Sequence, residues 1–174
     1  MFHRHLSSSL LAACLGLSAL AAQAASSTVL PVVSYTLSPN GTVNGYGYSD
    51  AGNDLTDGVM DVLVGDGGSA WSPYVLWDGR SPIITFDLGS PQAVSAMEGH
   101  FLTYPSAAVY LPTQASVKFS DDGLSYGAPI TMSTGYDGTQ VLGKDVPVTL
   151  SLLRTPGQGR YVQLTLTTPG RWIA

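Results

Sequence analysis

The chain has 174 residues, a pI near 4.8 and a net charge of −5, with seven Lys and Arg against twelve Asp and Glu; 44% of residues are hydrophobic and mean hydropathy is +0.18. This suits one globular domain large enough for a sound core. It excludes a nucleic-acid backbone as partner, which needs clustered Lys and Arg, and disfavours an anionic membrane surface for the same reason.

The N-terminus reads as a targeting segment. Met1–His5 carries Arg4, Leu6–Ala22 is apolar or small, and Ala22-Gln23-Ala24 has the A-x-A form of a cleavage site. The apolar run is too short and too rich in Ala and Ser for a comfortable membrane span. Residues 1–24 are therefore expected to be a secretory signal cut after Ala24, which makes the mature chain secreted or displayed at the cell surface, without membrane insertion. An alternative is a lipobox, Leu11-Ala12-Ala13-Cys14, with Cys14 lipidated. The apolar run continuing through Ala22 favours cleavage after Ala24.

Removing 24 residues from 174 leaves 150, residues 25–174, as one domain. Arg4 leaves with the signal, so six bases face twelve acids, a net −6. Cys14 is the one cysteine, so the mature chain has no disulfide, thiolate metal site or cysteine nucleophile. His3 and His5 leave too. His100 alone remains, and a multi-histidine zinc site within one chain is excluded.

Past the signal, helical periodicity is absent. Gly and Pro punctuate stretches rich in Thr, Val, Tyr and Ser, as in strands. Val32–Leu37 is the first expected strand. Residues 38–47 are turn-rich, with Pro39-Asn40-Gly41 and Asn44-Gly45. Asp50–Arg80 follows, a glycine-rich stretch holding half of all the acids: Asp50, Asp54, Asp57, Asp61, Asp66 and Asp78. Pro82–Leu88 is a strand ended by Asp87-Leu88-Gly89. Gln92–Leu102 is another, with Val94, Ala96, Glu98 and His100 on one face and Met97, Gly99 and Phe101 on the other. Tyr104–Leu111 reads as a loop. Thr113–Phe119 alternates, and Ser120-Asp121-Asp122-Gly123 is a strong turn signal. Tyr126–Met132 leads away from it, and Gly135–Lys144 is a loop. Val146–Leu152 and Arg160–Thr167 are strands, the latter the clearest in the chain. Short strands separated by close turn signals argue for an all-β antiparallel β-sandwich. Trp172-Ile173-Ala174 reads as an element begun without room to finish, so the last strand of the domain is expected to be missing.

Five ordered pieces resemble the discoidin, or coagulation-factor type C, domain family among the galactose-binding-like sandwiches of jelly-roll type. They are Leu55-Thr56-Asp57-Gly58, Ser69-Ala70-Trp71, the strand IITFDLG at 83–89, VKFSDDG at 117–123 and RYVQLTL at 160–166. Together they span nearly all of the mature chain and most resemble secreted bacterial versions. Two departures stand out. Ten residues, 59–68, separate Gly58 from Ser69 as an insertion, and the family's last strand, with the glutamate that often closes its calcium site, is not found.

The resemblance implies a structural calcium. Carried over, its ligands are the Asp54 carbonyl, the Asp57 carboxylate, the Val59 carbonyl and Ser69. Such a site suits a hard cation that takes oxygen ligands, many of them carbonyls. The bland alternative is that Asp57-Gly58 is simply a turn and the other acids are solvated. The resemblance also implies a ligand site in loops at one end of the sandwich, typically with a His, an Arg and an aromatic. Sugars stack on Trp or Tyr while a few polar groups fix their hydroxyls. His100 and Arg80 are the polar candidates, and Trp77 and Tyr104 the stacking candidates, whereas Trp71 is expected to anchor the core.

Catalysis is not expected. His100 is the one base for a Ser-His-Asp triad, and no G-x-S-x-G elbow occurs. Glu98 is the one glutamate for a glycosidase pair and falls midway along a strand. The expected function is a secreted, non-catalytic module binding a carbohydrate or cell-surface glycan. The alternative is an extracellular adhesion or matrix protein in which the sandwich binds protein or acts as a spacer.

Overall fold

The computed structural model describes residues 28–38, 50, 52–59, 74–78, 81–136, 146–168 and 172–173. These are antiparallel strands joined by turns, with one short 3-10 turn at Pro105–Ala107. The strands are β1 Ser34–Ser38, β2 Trp77–Asp78, β3 Ile83–Val94, β4 Met97–Thr103, β5 Gln114–Ser120, β6 Ile130–Ser133, β7 Val146–Leu153, β8 Gly157–Thr167 and β9 Trp172–Ile173. No described helix is long and apolar enough to cross a membrane.

One layer is a five-stranded sheet in the order β1-β3-β8-β5-β6. At its centre, β8 pairs with β3 on one side and β5 on the other, matching Leu164 to Ile84 and to Val117. Alternation then turns Ile84, Val117, Val162, Leu164 and Leu166 inward. The opposite layer consists of two ribbons, β4–β7 and β2–β9. Phe101 from β4, Leu150 and Leu152 from β7, and Val75 and Trp77 at β2 meet the inward residues of the first layer in one core cluster. Each such Leu, Val or Phe contributes about 1.5–3 kcal/mol by leaving water. The fold is thus the antiparallel β-sandwich that the alternation implied.

Several boundaries depart from the sequence reading. Gly89, read as a strand end, sits inside β3 at φ +78°. Its N–H is capped by Asp87 Oδ1 at 2.7 Å, and pairing with β8 resumes at Gln92 opposite Gly159. A left-handed glycine here makes a bulge rather than a turn. The strand expected over 92–102 is accordingly divided, its start ending β3 and its remainder forming β4. Along the segment that leads away from the Asp122 turn, the strand β6 begins at Ile130. Leu124 and Ser125 donate their N–H groups to Asp122 Oδ1, both at 2.8 Å, and Pro129 has no N–H for a ladder.

The segment 74–77, read as loop, is a buried strand entry. Val75 and Trp77 face the main core, while Tyr74 and Leu76 face a second cluster with Leu102 and Val109. Both faces being covered, no polar residue interrupts the run.

Two glycines on β8 are required by close approach. A Cβ at Gly157 would overlap the Phe119 ring, and one at Gly159 would lie 2.9 Å from the Ser120 backbone. Phe119 therefore lies directly on the start of β8, which extends the strand three residues earlier than Arg160.

Candidate functional site

The acidic turn is fastened to β1 through one tyrosine. Tyr35 faces inward at the edge of the five-stranded sheet, its ring 6.0 Å from that of Phe86. Its hydroxyl donates to Asp50 Oδ1 at 2.7 Å and accepts from the Leu55 N–H at 3.2 Å. Asp50 Oδ1 also accepts from the Asp54 N–H at 3.2 Å. Burial, then the bond to Asp50 and its charge together with that of Asp54, push the Tyr35 hydroxyl far above its ordinary value, against the opposing effect of the Leu55 N–H. Tyr35 thus stays protonated and remains a donor at any working pH.

The Thr56 N–H closes onto the Asn53 carbonyl at 2.9 Å, and Asp57 Oδ1 accepts from the Val59 N–H at 2.8 Å. Gly52 and Gly58 stand at φ +116° and +76°, which glycine supplies without steric cost. Asp57 is exposed and Asp54 half-buried. Asp57 Oδ2 has no hydrogen bond among the described residues. No three His, Cys, Asp or Glu side chains among them are placed to share a metal ion. Ser69, Asp61 and Asp66 lie outside the described residues, as does Trp71, expected in the core.

The second region is the outer face of the β4–β7 ribbon. Register sets Glu98 opposite Ser151 and His100 opposite Thr149. Gly99 and Phe101 turn inward, where a Cβ on Gly99 would come within 2.9 Å of both Phe101 and Leu152. Glu98 and His100 are left on the exposed side. His100 Nδ1 is 2.9 Å from Thr149 Oγ1, which holds the ring in one orientation. Nε2 has no partner among the described residues. Arg154 Nε donates to Ser151 Oγ at 3.1 Å, bringing a cation to the same ribbon.

Beyond His100 this face closes over. Leu102, on the same side by alternation, is fully buried under Tyr74, Leu76 and Val109. Tyr104 exchanges two backbone hydrogen bonds with Val109, at 3.0 and 3.1 Å, around the Pro105–Ala107 turn. Ala108 takes φ 60° to close that loop. Tyr104 is half-buried and packs against the same cluster. The exposed polar patch is therefore short and bounded by an apolar rim.

The structure treats the four expected ligand residues differently. His100 is exposed and oriented, and Tyr104 lies further along the same face. Arg80 lies outside the described residues. Trp77 is corrected: at 4% exposure it belongs to the main core, and a ring so enclosed has no free face on which a sugar could stack. Its neighbours Asp78 and Arg80 gave it the look of a displayed aromatic, but the better signal was the uninterrupted run Tyr74-Val75-Leu76-Trp77. Thr149 was missed, because no local motif announces that it will stand beside a histidine 49 positions away.

The protein is thus an antiparallel β-sandwich that carries an exposed, oriented histidine on its ribbon layer. No protein-family profile matches the chain, and no curated protein matches it. Among solved structures it is similar to carbohydrate-binding modules. One is CpGH89CBM32-5 from Clostridium perfringens, in complex with GalNAc-β-1,3-galactose, at 15% identity over 80% of this chain and 89% of that one, TM-score 0.49. Another is the CBM32 of AlyQ in complex with 4,5-unsaturated mannuronic acid, at 20% identity over 82% and 91%, TM-score 0.44. A pectin-binding module is similar at 16% identity over 84% and 91%, TM-score 0.43. At such identities the site has to be read from this chain's own residues.

Proposed function

We propose that the mature chain is a secreted, non-catalytic carbohydrate-binding module whose ligand meets the outer face of the β4–β7 ribbon at His100. The observation that carries this reading is the His100–Thr149 pair. A neutral imidazole tethered at Nδ1 can offer Nε2 to a hydroxyl as donor or acceptor, according to tautomer. Glu98 and Ser151 flank it on the same face, Tyr104 is the aromatic edge nearest the rim, and Arg80 is the further candidate cation. Trp77 has no part in the site. Among the described residues the His100 ring is hydrogen-bonded to Thr149.

The same reading includes a structural calcium at the acidic turn. A hard cation there would draw on Asp57 Oδ2, on the carbonyls of Asp54 and Val59, and on Ser69. The exposed carboxylate and the glycine-bearing turn already held by Tyr35 and Asp50 fit that donor chemistry. Among the described residues no cluster of three acidic side chains stands there, so carbonyls would complete the shell. Bound calcium would pin the turn and take no part in chemistry.

A second reading is an adhesion or matrix protein with a protein partner. The burial of Tyr74 and Trp77 favours it, since it leaves Tyr104 as the remaining described candidate for stacking. A glycan array with the mature chain, run with calcium and with chelator, separates the readings. We expect binding to a defined glycan class, lost in His100→Ala without change in Tm, and a lower Tm on chelation. A blank array in calcium would discard the lectin-like role in favour of the protein-binding one. A Tm indifferent to chelator would discard the calcium.

A further inference from the structure

We propose that Asp57-Gly58 is a site of spontaneous backbone rearrangement to isoaspartate, and that the chemically identical step Asp122-Gly123 is held back from it by its hydrogen bonds and packing. This rests on the geometry of the two turns with no metal on Asp57; the calcium proposed above would hold that turn and slow the reaction, so the test is made in the presence of chelator. Asp66-Gly67, Asp78-Gly79 and Asp137-Gly138 reach outside the described residues, so the comparison is between these two.

The reaction needs only the chain and water. The backbone nitrogen of the glycine attacks the aspartate Cγ, a C–N bond forms, and the carboxyl C–OH bond breaks. The hydroxyl leaves as water with the amide proton, giving a five-membered succinimide. Water then adds back. Opening at one carbonyl restores aspartate; opening at the other leaves the chain running through the side-chain carbonyl as isoaspartate. Nothing is oxidised or reduced. Three conditions favour the step: a neutral carboxyl whose hydroxyl can leave, an amide nitrogen not already engaged, and freedom for the backbone to rotate. Glycine supplies the last by lacking a Cβ.

At Asp57 the last two are met. The side chain is exposed and makes one hydrogen bond, from the Val59 N–H to Oδ1. Asp122 accepts in the same way from the Leu124 N–H, so the fold of the carboxyl over the intervening glycine amide is common to both turns, and the difference lies in that amide and its surroundings. The Gly58 N–H has no acceptor among the described residues. A Cβ built on Gly58 meets nothing within 4 Å, so the turn has room to move.

At Asp122 each condition fails. Oδ1 accepts from Ser120 Oγ at 2.9 Å and from the N–H groups of Leu124 and Ser125 at 2.8 Å. These bonds, those from Ser125 and Leu124 first, pull its carboxyl below the ordinary aspartate range and deplete the neutral form. The Gly123 N–H is committed to Ser120 Oγ at 2.9 Å. A Cβ on Gly123 would lie 3.2–3.3 Å from the Tyr161 ring, so that turn is packed against the sheet.

The test is to age the purified chain with chelator at mildly acidic pH and physiological temperature, then quantify isoaspartate site by site by mass spectrometry with fragmentation that distinguishes the isomers. Isoaspartate at position 57 should accumulate at least about tenfold faster than at 122, a barrier difference of about 1.4 kcal/mol. In denaturant the two rates should converge. Ser120→Ala, which frees the Gly123 N–H and removes one bond to Asp122, should raise the rate at 122 and leave 57 unchanged. Equal rates in the folded chain would overturn the proposal. So would a ratio that persists in denaturant, since flanking sequence and not the fold would then set it; that arm needs no variant to fold.

Discussion

The outer faces of the two layers are built from the same alternation but left in different states. On the five-stranded sheet, one ion pair is closed on itself. Arg160 grips Asp87 through Nε–Oδ1 and Nη2–Oδ2, both at 2.8 Å, and lies 4.9 Å above the Tyr161 ring. On the β4–β7 ribbon, His100 has a single tether, and Glu98 stands beside it exposed. A paired, bidentate surface is complete without a ligand. A face with an oriented but unfinished donor or acceptor is where a ligand gains most by binding. The difference separates scaffold from display, and each side of it can be broken.

The largest effect is expected at the inner side of the display layer. Trp77→Ala should destabilise the fold by about 3–5 kcal/mol, the usual cost of emptying a core aromatic site. Urea unfolding measures this directly. A loss below about 1 kcal/mol would mean that the β2–β9 ribbon contributes little to the core and would return Trp77 to the surface as a binding residue.

That residue also shows what the sequence can and cannot reveal. β8 was legible because one face meets the core and the other meets water, so Tyr161, Gln163 and Thr165 mark one side against Val162, Leu164 and Leu166. The run 74–77 was not, because its two faces enter two different clusters and period-two burial leaves no trace in polarity. The turn at Asp122 was visible from its Ser-Asp-Asp-Gly composition, whereas Gly89 looked like the same kind of stop and is a bulge. The site was legible as residue types only. That His100 is exposed follows from its parity with Glu98. That Thr149 holds it depends on a register set by residues far away in the chain.

A smaller effect belongs to the scaffold face. The two Arg160 bonds, then the Gly89 N–H, hold Asp87 down at about 2, against a slight opposing effect of desolvation. The same partnership raises the Arg160 guanidinium. The folded value lies below the unfolded one of about 3.9. The stabilisation is therefore fully present above about pH 4 and is lost as pH falls through about 2. Acid titrations of Tm for the native chain and for Asp87→Asn should run apart near neutrality and converge as Asp87 is protonated. The gap should be modest, because a pair with Arg160 partly in water is screened. Curves that stay parallel down to the acid limit would show that packing, not charge, separates the two.

The smallest change in stability, and the sharpest test of the display face, is Thr149→Ala. Thr149 is exposed, and its loss should move stability by no more than about 0.5 kcal/mol. What it removes is the tether on Nδ1, so His100 would keep its chemistry but lose its orientation. Affinity for the glycan class found on the array should fall by about 0.5–1.5 kcal/mol, the net worth of one hydrogen bond, and Thr149→Ser should restore it because the hydroxyl returns. The two substitutions differ little in their effect on the fold, which makes rescue by serine diagnostic. Titration calorimetry reads the affinity and a parallel melt the fold. If Thr149→Ala binds as well as the native chain, the imidazole is not being positioned from β7, and the ribbon's outer face is no less self-contained than the sheet opposite.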